Sequence, residues 1–80
     1  MAEPRFIWNR RGDLLCGRVK VGSVRHQQPF PDWDVAGPWF GEVGQGYPAP
    51  FEDWFDTEEG ARRETEAAAR RLMFEEDGHG

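Results

Sequence analysis

The stretch FEDWFDTEEGARR, residues 51–63, joins three large aromatic residues to five acids and has no base before its last two positions. Its second half predicts the start of a helix. Asp56 with Glu59 three residues later has the pattern of a capping box, and Thr57 is the competing N-cap one position on. Glu58 and Glu59 then fall in the first helical turn, where the helix dipole favours negative charge.

The helix predicted from this start runs to about Phe74 and is amphipathic. Its inward stripe consists mostly of small residues, which allow a close approach to a sheet: Ala61, Thr65, Ala68, Ala69, Leu72 and Met73. Acid–base pairs at i,i+4 spacing support its exposed side: Glu58–Arg62, Glu59–Arg63 and Glu66–Arg70. We expect residues 1–76 to form a single domain, followed by a disordered tail over 77–80.

The chain before this stretch alternates as β-strands do. Residues 5–9 are a predicted strand, 9–13 (NRRGD) have turn chemistry, and 14–24 alternate again, so a hairpin is expected. Gly17 and Gly22 interrupt the second run and predict bends or bulges. The two faces predicted for 14–24 carry Leu15, Val19 and Val21 on one side and Cys16, Arg18 and Lys20 on the other.

A third strand is predicted over 33–36 and a fourth over 39–43, with 26–32 and 44–50 as loops rich in Pro or Gly. The order β-β-β-(β)-α predicts an α+β fold, an antiparallel sheet of three to four strands with one C-terminal helix packed on one face. Aliphatic residues are few, so we expect a core built around rings. The expected core rings are Trp8, Trp39 and one of Trp54 and Phe55.

Charge is distributed unevenly along the chain, whose formal net charge is −5. Residues 1–25 hold six bases and two acids, whereas residues 26–61 hold eight acids, no Lys or Arg, and eight of the eleven aromatic residues. Such asymmetry favours an electrostatically guided partner. Pairing of the two oppositely charged regions within the monomer is the equally weighted alternative.

The sequence offers little equipment for catalysis or metal binding. Cys16 is the single cysteine, and the two histidines lie far apart, so no zinc-ligand spacing exists. A Cys16–His26 nucleophilic pair requires the fold to bring the two residues together, and a cysteine on a strand is more often a small buried side chain. We therefore expect no enzyme activity, no cofactor and no metal.

The composition also predicts the compartment. A single cysteine, the lack of a signal-peptide-like apolar stretch, and apolar runs far shorter than the ~20 residues of a membrane span all favour a cytoplasmic protein. We also expect a monomer without a membrane partner.

Residues 30–55 hold more aromatic side chains than one small sheet can bury, and acids lie beside them. Because Trp is enriched at the centres of protein interfaces, this composition predicts an adhesive acidic surface suited to a basic protein partner. The predicted partner-binding residues are Asp32, Trp33, Asp34, Glu42, Phe51, Glu52 and Asp53.

The alternative function is a small nucleic-acid-binding module that uses the basic hairpin 9–25. Its β-β-β-α outline is similar to that of double-stranded RNA-binding domains. The residues of this alternative basic surface are Arg10, Arg11, Arg18, Lys20 and Arg25. Direct nucleic-acid binding is disfavoured, since the acids that begin the helix would repel a phosphate backbone.

Three stretches carry a resemblance to a known class of proteins: RFIWNRRGDLLCGRVKVGSV, DWDVAGPWFGEVG and DTEEGARRETEAAARRL. In size and character the chain is similar to anti-CRISPR proteins of phages and mobile elements, several of which inhibit type I (Cascade-like) surveillance complexes. The resemblance implies a stoichiometric inhibitor that docks on the nucleic-acid-binding surface of a host complex and prevents target DNA from binding. A channel of Lys and Arg side chains would attract clustered carboxylates.

Overall fold

The computed structural model describes residues 5–44 and 49–75 of the chain. Its elements in chain order are β1 (Phe6–Trp8), β2 (Asp13–Cys16), β3 (Val19–His26), β4 (Trp39–Val43), β5 (Phe51–Phe55), α1 (Glu58–Arg70) and a π-helical turn (Arg71–Glu75). The strands form one sheet in the order β1-β2-β3-β4-β5, and every neighbouring pair is antiparallel. The predicted α+β class is confirmed, with five strands in the described residues rather than three to four.

The predicted hairpin between residues 5–9 and the following strand is confirmed, and Asn9 holds its turn. The Asn9 side-chain oxygen accepts hydrogen bonds from the backbone N–H groups of Arg11 and Asp13, both at 2.9 Å. Gly12 takes φ +85°, a conformation that L side chains rarely adopt, and a Cβ there would clash with the Val24 carbonyl. The turn is therefore fixed in shape, which positions the two arginines that it carries.

Residues 14–24, predicted as one interrupted strand, are two strands joined by a turn at Gly17 and Arg18. Gly17 takes φ +65° in this turn, and Cys16 lies opposite Val19 across the resulting hairpin. Directly opposed residues share a face of an antiparallel sheet. The predicted face assignment, which separated Cys16 from Val19, is therefore wrong.

A bulge in the same hairpin explains the other misplaced side chains. Leu14 pairs with Gly22 and Leu15 pairs with Lys20, so Val21 is an extra residue in β3. The register shift turns Leu14 toward the core, where it is completely buried, and leaves Leu15 only partly covered. The alternation of the sequence cannot show a one-residue insertion of this kind.

The strand predicted over 33–36 is wrong, because these residues lie in the connection between β3 and β4. β4 pairs with β3 on one side and with β5, residues 51–55, on the other, and the sequence pattern predicts no strand for β5. It is an edge strand with two consecutive acids, Glu52 and Asp53, both exposed. Charged side chains are common on edge strands because they discourage pairing with other chains.

The N-cap of helix α1 is Thr57, the competing candidate, rather than Asp56. The Thr57 hydroxyl accepts a hydrogen bond from the Gly60 N–H at 3.0 Å. Of the predicted i,i+4 ion pairs, Glu58–Arg62 forms at 2.9 Å and Glu66–Arg70 at 3.4 Å. The third predicted pair does not form within the described residues, because Arg63 contacts its neighbour Glu64 at 3.4 Å.

The helix predicted to run to about Phe74 is α-helical only to Arg70, and a π-helical turn follows it. The tail predicted over 77–80 lies outside the described residues. So do four of the seven residues of the loop predicted over 44–50. Leu72, the next large residue of the predicted inward stripe, packs against the core.

The core between α1 and the sheet is aliphatic rather than aromatic. Its buried hydrophobic side chains are Leu14, Val24, Val43, Ala49, Ala61, Ala68 and Ala69, and Thr65 is buried with them. The rings predicted for the core are all half-buried, so that prediction is wrong. Trp8 packs at the edge of the core, where its indole N–H donates a hydrogen bond to Glu66 at 3.1 Å and the Arg62 guanidinium lies 5.2 Å from its ring centre.

Candidate functional site

The sheet has one face covered by α1 and one face that no described helix covers. The register assigns residues to each: Gly41, which would clash with Thr65 of α1 if it carried a Cβ, marks the covered face of β4. Its neighbours Phe40 and Glu42 therefore lie on the opposite side. That side is called the open face, and the strand residues that share it are Ile7, Asp13, Leu15, Lys20, Ser23, Arg25, Phe40, Glu42, Glu52 and Trp54.

Four aromatic side chains form a continuous cluster at one end of the open face. Phe40 and Trp54 are cross-strand partners with ring centres 4.9 Å apart. Trp33, from the β3–β4 connection, meets Trp54 edge-on at 5.9 Å and Phe30 at 4.9 Å. Phe30 is 64% exposed and Trp33 47% exposed, so the outer half of this aromatic cluster faces water.

Two carboxylates lie next to the aromatic cluster. Glu42 and Glu52 are directly opposed on β4 and β5, an arrangement in which like charges destabilise a sheet. Glu42 accepts a hydrogen bond from the Ser23 hydroxyl at 3.3 Å, and Glu52 accepts one from the Ala49 N–H at 3.2 Å. Across residues 5–44 and 49–75 neither carboxylate has a salt bridge, so their negative charge is available to a partner.

The structure brings together some of the predicted partner-binding residues and separates others. Trp33, Glu42 and Glu52 contribute to the open face or to the aromatic cluster on it. Asp32 and Asp34 flank Trp33 in the same exposed connection. Phe51 and Asp53 alternate with Glu52 along β5 and therefore lie on the other side of the strand. Phe51 packs against the core, whereas Asp53 is exposed at the edge and accepts a hydrogen bond from the Trp54 N–H at 2.8 Å.

Sequence reasoning missed three members of the aromatic cluster: Phe30, Phe40 and Trp54. The alternation of residues 39–43 does place Phe40 and Glu42 together, on the side opposite Trp39. The missing information was the pairing of β4 with β5, which sets Trp54 beside Phe40. A strand assignment for FEDWF, on the ground that aromatic residues are enriched in strands, would have supplied it.

The basic residues of the alternative surface do not form one patch. Lys20 and Arg25 both contact Asp13 on the open face, at 3.3 and 3.4 Å. Arg18 lies in the β2–β3 turn, at the opposite end of β2 from the β1–β2 turn. Arg10 and Arg11 in that other turn are exposed, and they form no salt bridge within the described residues.

On the open face, Asp13 is the carboxylate that Lys20 and Arg25 both contact. The pKa of its carboxyl lies below the ordinary value of 3.8, chiefly because the Asn9 side-chain amide donates a hydrogen bond to it. Partial burial opposes this effect, while Lys20 and Arg25 reinforce it. Asp13 thus neutralises two of the five predicted basic residues and reduces their availability to phosphates.

The fold does not assemble a Cys16–His26 pair. Cys16 lies opposite Val19, the first residue of β3, whereas His26 is the last residue of that strand. At about 3.3 Å per residue the two are separated by roughly 20 Å. His26 instead meets the edge of the Trp39 ring, with centres 5.0 Å apart. Among the described residues, no group of three or more His, Cys, Asp or Glu side chains is arranged to hold a metal ion.

Two further results bear on classification. No helix in residues 5–44 and 49–75 has the length and apolar character needed to cross a membrane. Comparison with known proteins finds no matching family model, no similar curated protein and no similar solved structure.

Proposed function

We propose that the protein is a non-enzymatic inhibitor that docks through its open face on a basic surface of a host nucleic-acid-handling complex and blocks the binding of target DNA. The observation that carries this proposal is the aromatic cluster, whose outer rings are exposed beside two carboxylates that lack a salt bridge within the described residues. Rings supply contact area, and the carboxylates select for a partner rich in Lys and Arg.

The aromatic cluster has the features of an interface anchor. Trp33 stands on Trp54, which is itself supported by Phe40, so the exposed ring is held in place before a partner arrives. Rigid aromatic side chains give large contact areas at a small entropic cost. Truncation of such an anchor at the centre of an interface costs ~2 kcal/mol or more.

The charges around the aromatic cluster favour a protein partner over a nucleic acid. Exposed rings on an open sheet can stack on bases, but such platforms are accompanied by basic side chains that hold the phosphates. Here Glu42 and Glu52 lie beside the rings and Asp32 and Asp34 flank Trp33, so these acids would repel a phosphate backbone. Arg25, the base opposite Phe40 on the open face, already contacts Asp13. A partner whose own basic surface holds nucleic acid is attracted by the same acids.

The resemblance to anti-CRISPR proteins gives this proposal its specific form. The partner would be a subunit of a type I surveillance complex in the bacterial cytoplasm, and the open face would occupy Lys and Arg side chains that otherwise contact target DNA. Arg side chains of such a channel could also stack on the exposed rings of Trp33 and Phe30.

The test is a mobility-shift assay of target-DNA binding by a purified type I surveillance complex, with increasing amounts of the protein. The critical variant is Glu42→Lys/Glu52→Lys, which changes the charge of the open face by four units. The matched control is Glu59→Lys/Glu64→Lys, which makes the same change on exposed positions of α1. We expect the wild type and the control to displace DNA, and the open-face variant to need at least ~10-fold more protein.

The outcomes separate the parts of the proposal. Failure of the wild type to reduce DNA binding refutes the inhibitor. Equal potency of both variants refutes the open face as the docking site. A shift of free duplex DNA by the protein alone, weakened by Arg10→Ala/Arg11→Ala and by added salt, would favour the nucleic-acid-binding alternative.

A further inference from the structure

A cleft of about 340 Å³ lies away from the aromatic cluster, between the β1–β2 turn, the end of β3 and the first turns of α1. The lining residues that matter for binding a ligand are Arg10, Arg11, His26, Trp39, Glu58 and Arg62. The cleft is unusual in a chain of net charge −5, because four arginines line it against one glutamate. The backbone around it is fixed, since Asn9 and Gly12 hold the turn.

The positive charge of this cleft is only partly neutralised. Arg62 contacts Glu58 at 2.9 Å and is held with its guanidinium above the Trp8 ring. Arg25 also lines the cleft, but its guanidinium contacts Asp13 at 3.4 Å. Arg10 and Arg11 are adjacent and form no salt bridge to any described residue. Two consecutive arginines without a counter-charge among the described residues leave guanidinium groups available to a bound anion.

One wall of the cleft is aromatic. The Trp39 ring is half-buried there, with the His26 imidazole against it. An anion held by the arginines would thus have room for an attached organic group beside a flat aromatic surface. This combination of arginines with an aromatic wall differs from the open face, where the carboxylates of Glu42 and Glu52 lie beside the rings.

We propose that this cleft binds a phosphate monoester, with Arg10 and Arg11 as its principal ligands and Arg62 as a third positive charge. A tetrahedral phosphate dianion presents several acceptor oxygens, and arginine donates pairs of parallel N–H groups to such oxygens. The ligand is a small phosphorylated molecule or the terminal phosphate of an oligonucleotide, and in both cases the recognised chemistry is the same. This site is independent of the docking function proposed for the open face.

The test is a titration of the isotopically labelled protein, followed by the amide resonances of the β1–β2 turn. The probes are adenosine 5′-monophosphate, adenosine as the uncharged control, and a short 5′-phosphorylated oligonucleotide beside its unphosphorylated form. We expect the two phosphorylated probes to move the turn resonances, with an affinity that falls as salt is added. Arg10→Ala/Arg11→Ala should weaken binding at least ~10-fold, whereas the charge-matched Arg18→Ala/Arg71→Ala should change it less than ~3-fold.

The two sources of phosphate are separated by comparing the probes. Tighter binding of the monophosphate than of the oligonucleotide assigns the cleft to a small molecule, and the reverse order assigns it to a nucleic-acid terminus. The proposal is overturned if adenosine binds as well as its monophosphate, if neither phosphorylated probe moves the turn resonances, or if both double variants lose affinity equally. A melting curve for each variant verifies that the fold is intact.

Discussion

The closest approach between helix and sheet provides the sharpest test of the packing described above. Gly41 lies in β4 directly beneath Thr65, which is completely buried in α1. A Cβ at residue 41 would meet the Thr65 hydroxyl oxygen at a separation well under 3.0 Å, which real Cβ atoms essentially never show. Thr65 is β-branched and packed on all sides, so its side chain has little freedom to turn away.

Gly41→Ala should therefore force α1 away from the sheet. Overpacking of this kind costs ~1–3 kcal/mol, and for a domain of this size each kcal/mol lowers the melting temperature by roughly 4–8 °C. A loss of about 2 kcal/mol thus corresponds to a decrease of roughly 8–16 °C. Thermal and urea unfolding followed by circular dichroism measure both quantities.

A second substitution isolates the contact itself. Thr65→Ala removes the hydroxyl, which is buried without a hydrogen-bond partner within the described residues, and so opens the space that the new methyl group needs. In the double variant Gly41→Ala/Thr65→Ala the cost of the first change should fall by at least ~1 kcal/mol. Additive effects within about 0.5 kcal/mol, or a melting temperature of Gly41→Ala equal to that of the wild type, would refute this account of the helix–sheet contact.

Two further predictions concern the helix start and the acid stability. Thr57→Ala removes the N-cap hydrogen bond and should cost ~1 kcal/mol in urea unfolding, whereas Thr57→Ser should retain most of it; equal losses would contradict the capping role. The Asp13 carboxyl has a lowered pKa in the fold, so its stabilising contribution is present above pH ~4 and is lost as the pH falls through the lowered value. Asp13→Asn should therefore flatten the decrease in stability below pH ~4, while Asp34→Asn, at an exposed position without a salt bridge to a described residue, should leave that decrease unchanged; identical acid profiles for all three proteins would rule out the assignment.

The parts of the fold predicted correctly are those with strong local signals. The helix position follows from its caps, its first-turn acids and the spacing of its small residues, all within a few positions of one another. The β1–β2 turn follows from NRRGD, in which Asn9 and Gly12 perform the roles that turns require of such residues. These elements need no knowledge of what they pack against.

The parts predicted wrongly depend on contacts distant in sequence. The bulge at Val21 depends on the pairing of β2 with β3, and its effect on Leu14 and Leu15 cannot be read from either strand alone. The assignment of β5 depends on β4, since FEDWF lies just before a helix and its acids obscure the alternation. The candidate site inherits this error: Glu42 and Glu52 were identified singly, while their direct opposition and the rings beside them required the strand pairing.

The exposed rings themselves follow from the way in which the helix meets the sheet. Thr65 on α1 faces Gly41 of β4, and a Cβ added at Gly22 of β3 would lie 3.5 Å from the Thr65 methyl carbon. A contact between small residues brings the helix close to the centre of the sheet, where little room is left for an aromatic ring. The rings must then pack at the edges, as Trp8 does, or on the open face, as Phe40 and Trp54 do. A chain rich in large aromatic residues, whose sheet is covered by a helix with small residues on its inner face, therefore leaves some of its rings exposed. Those exposed rings form the surface for which we propose a partner.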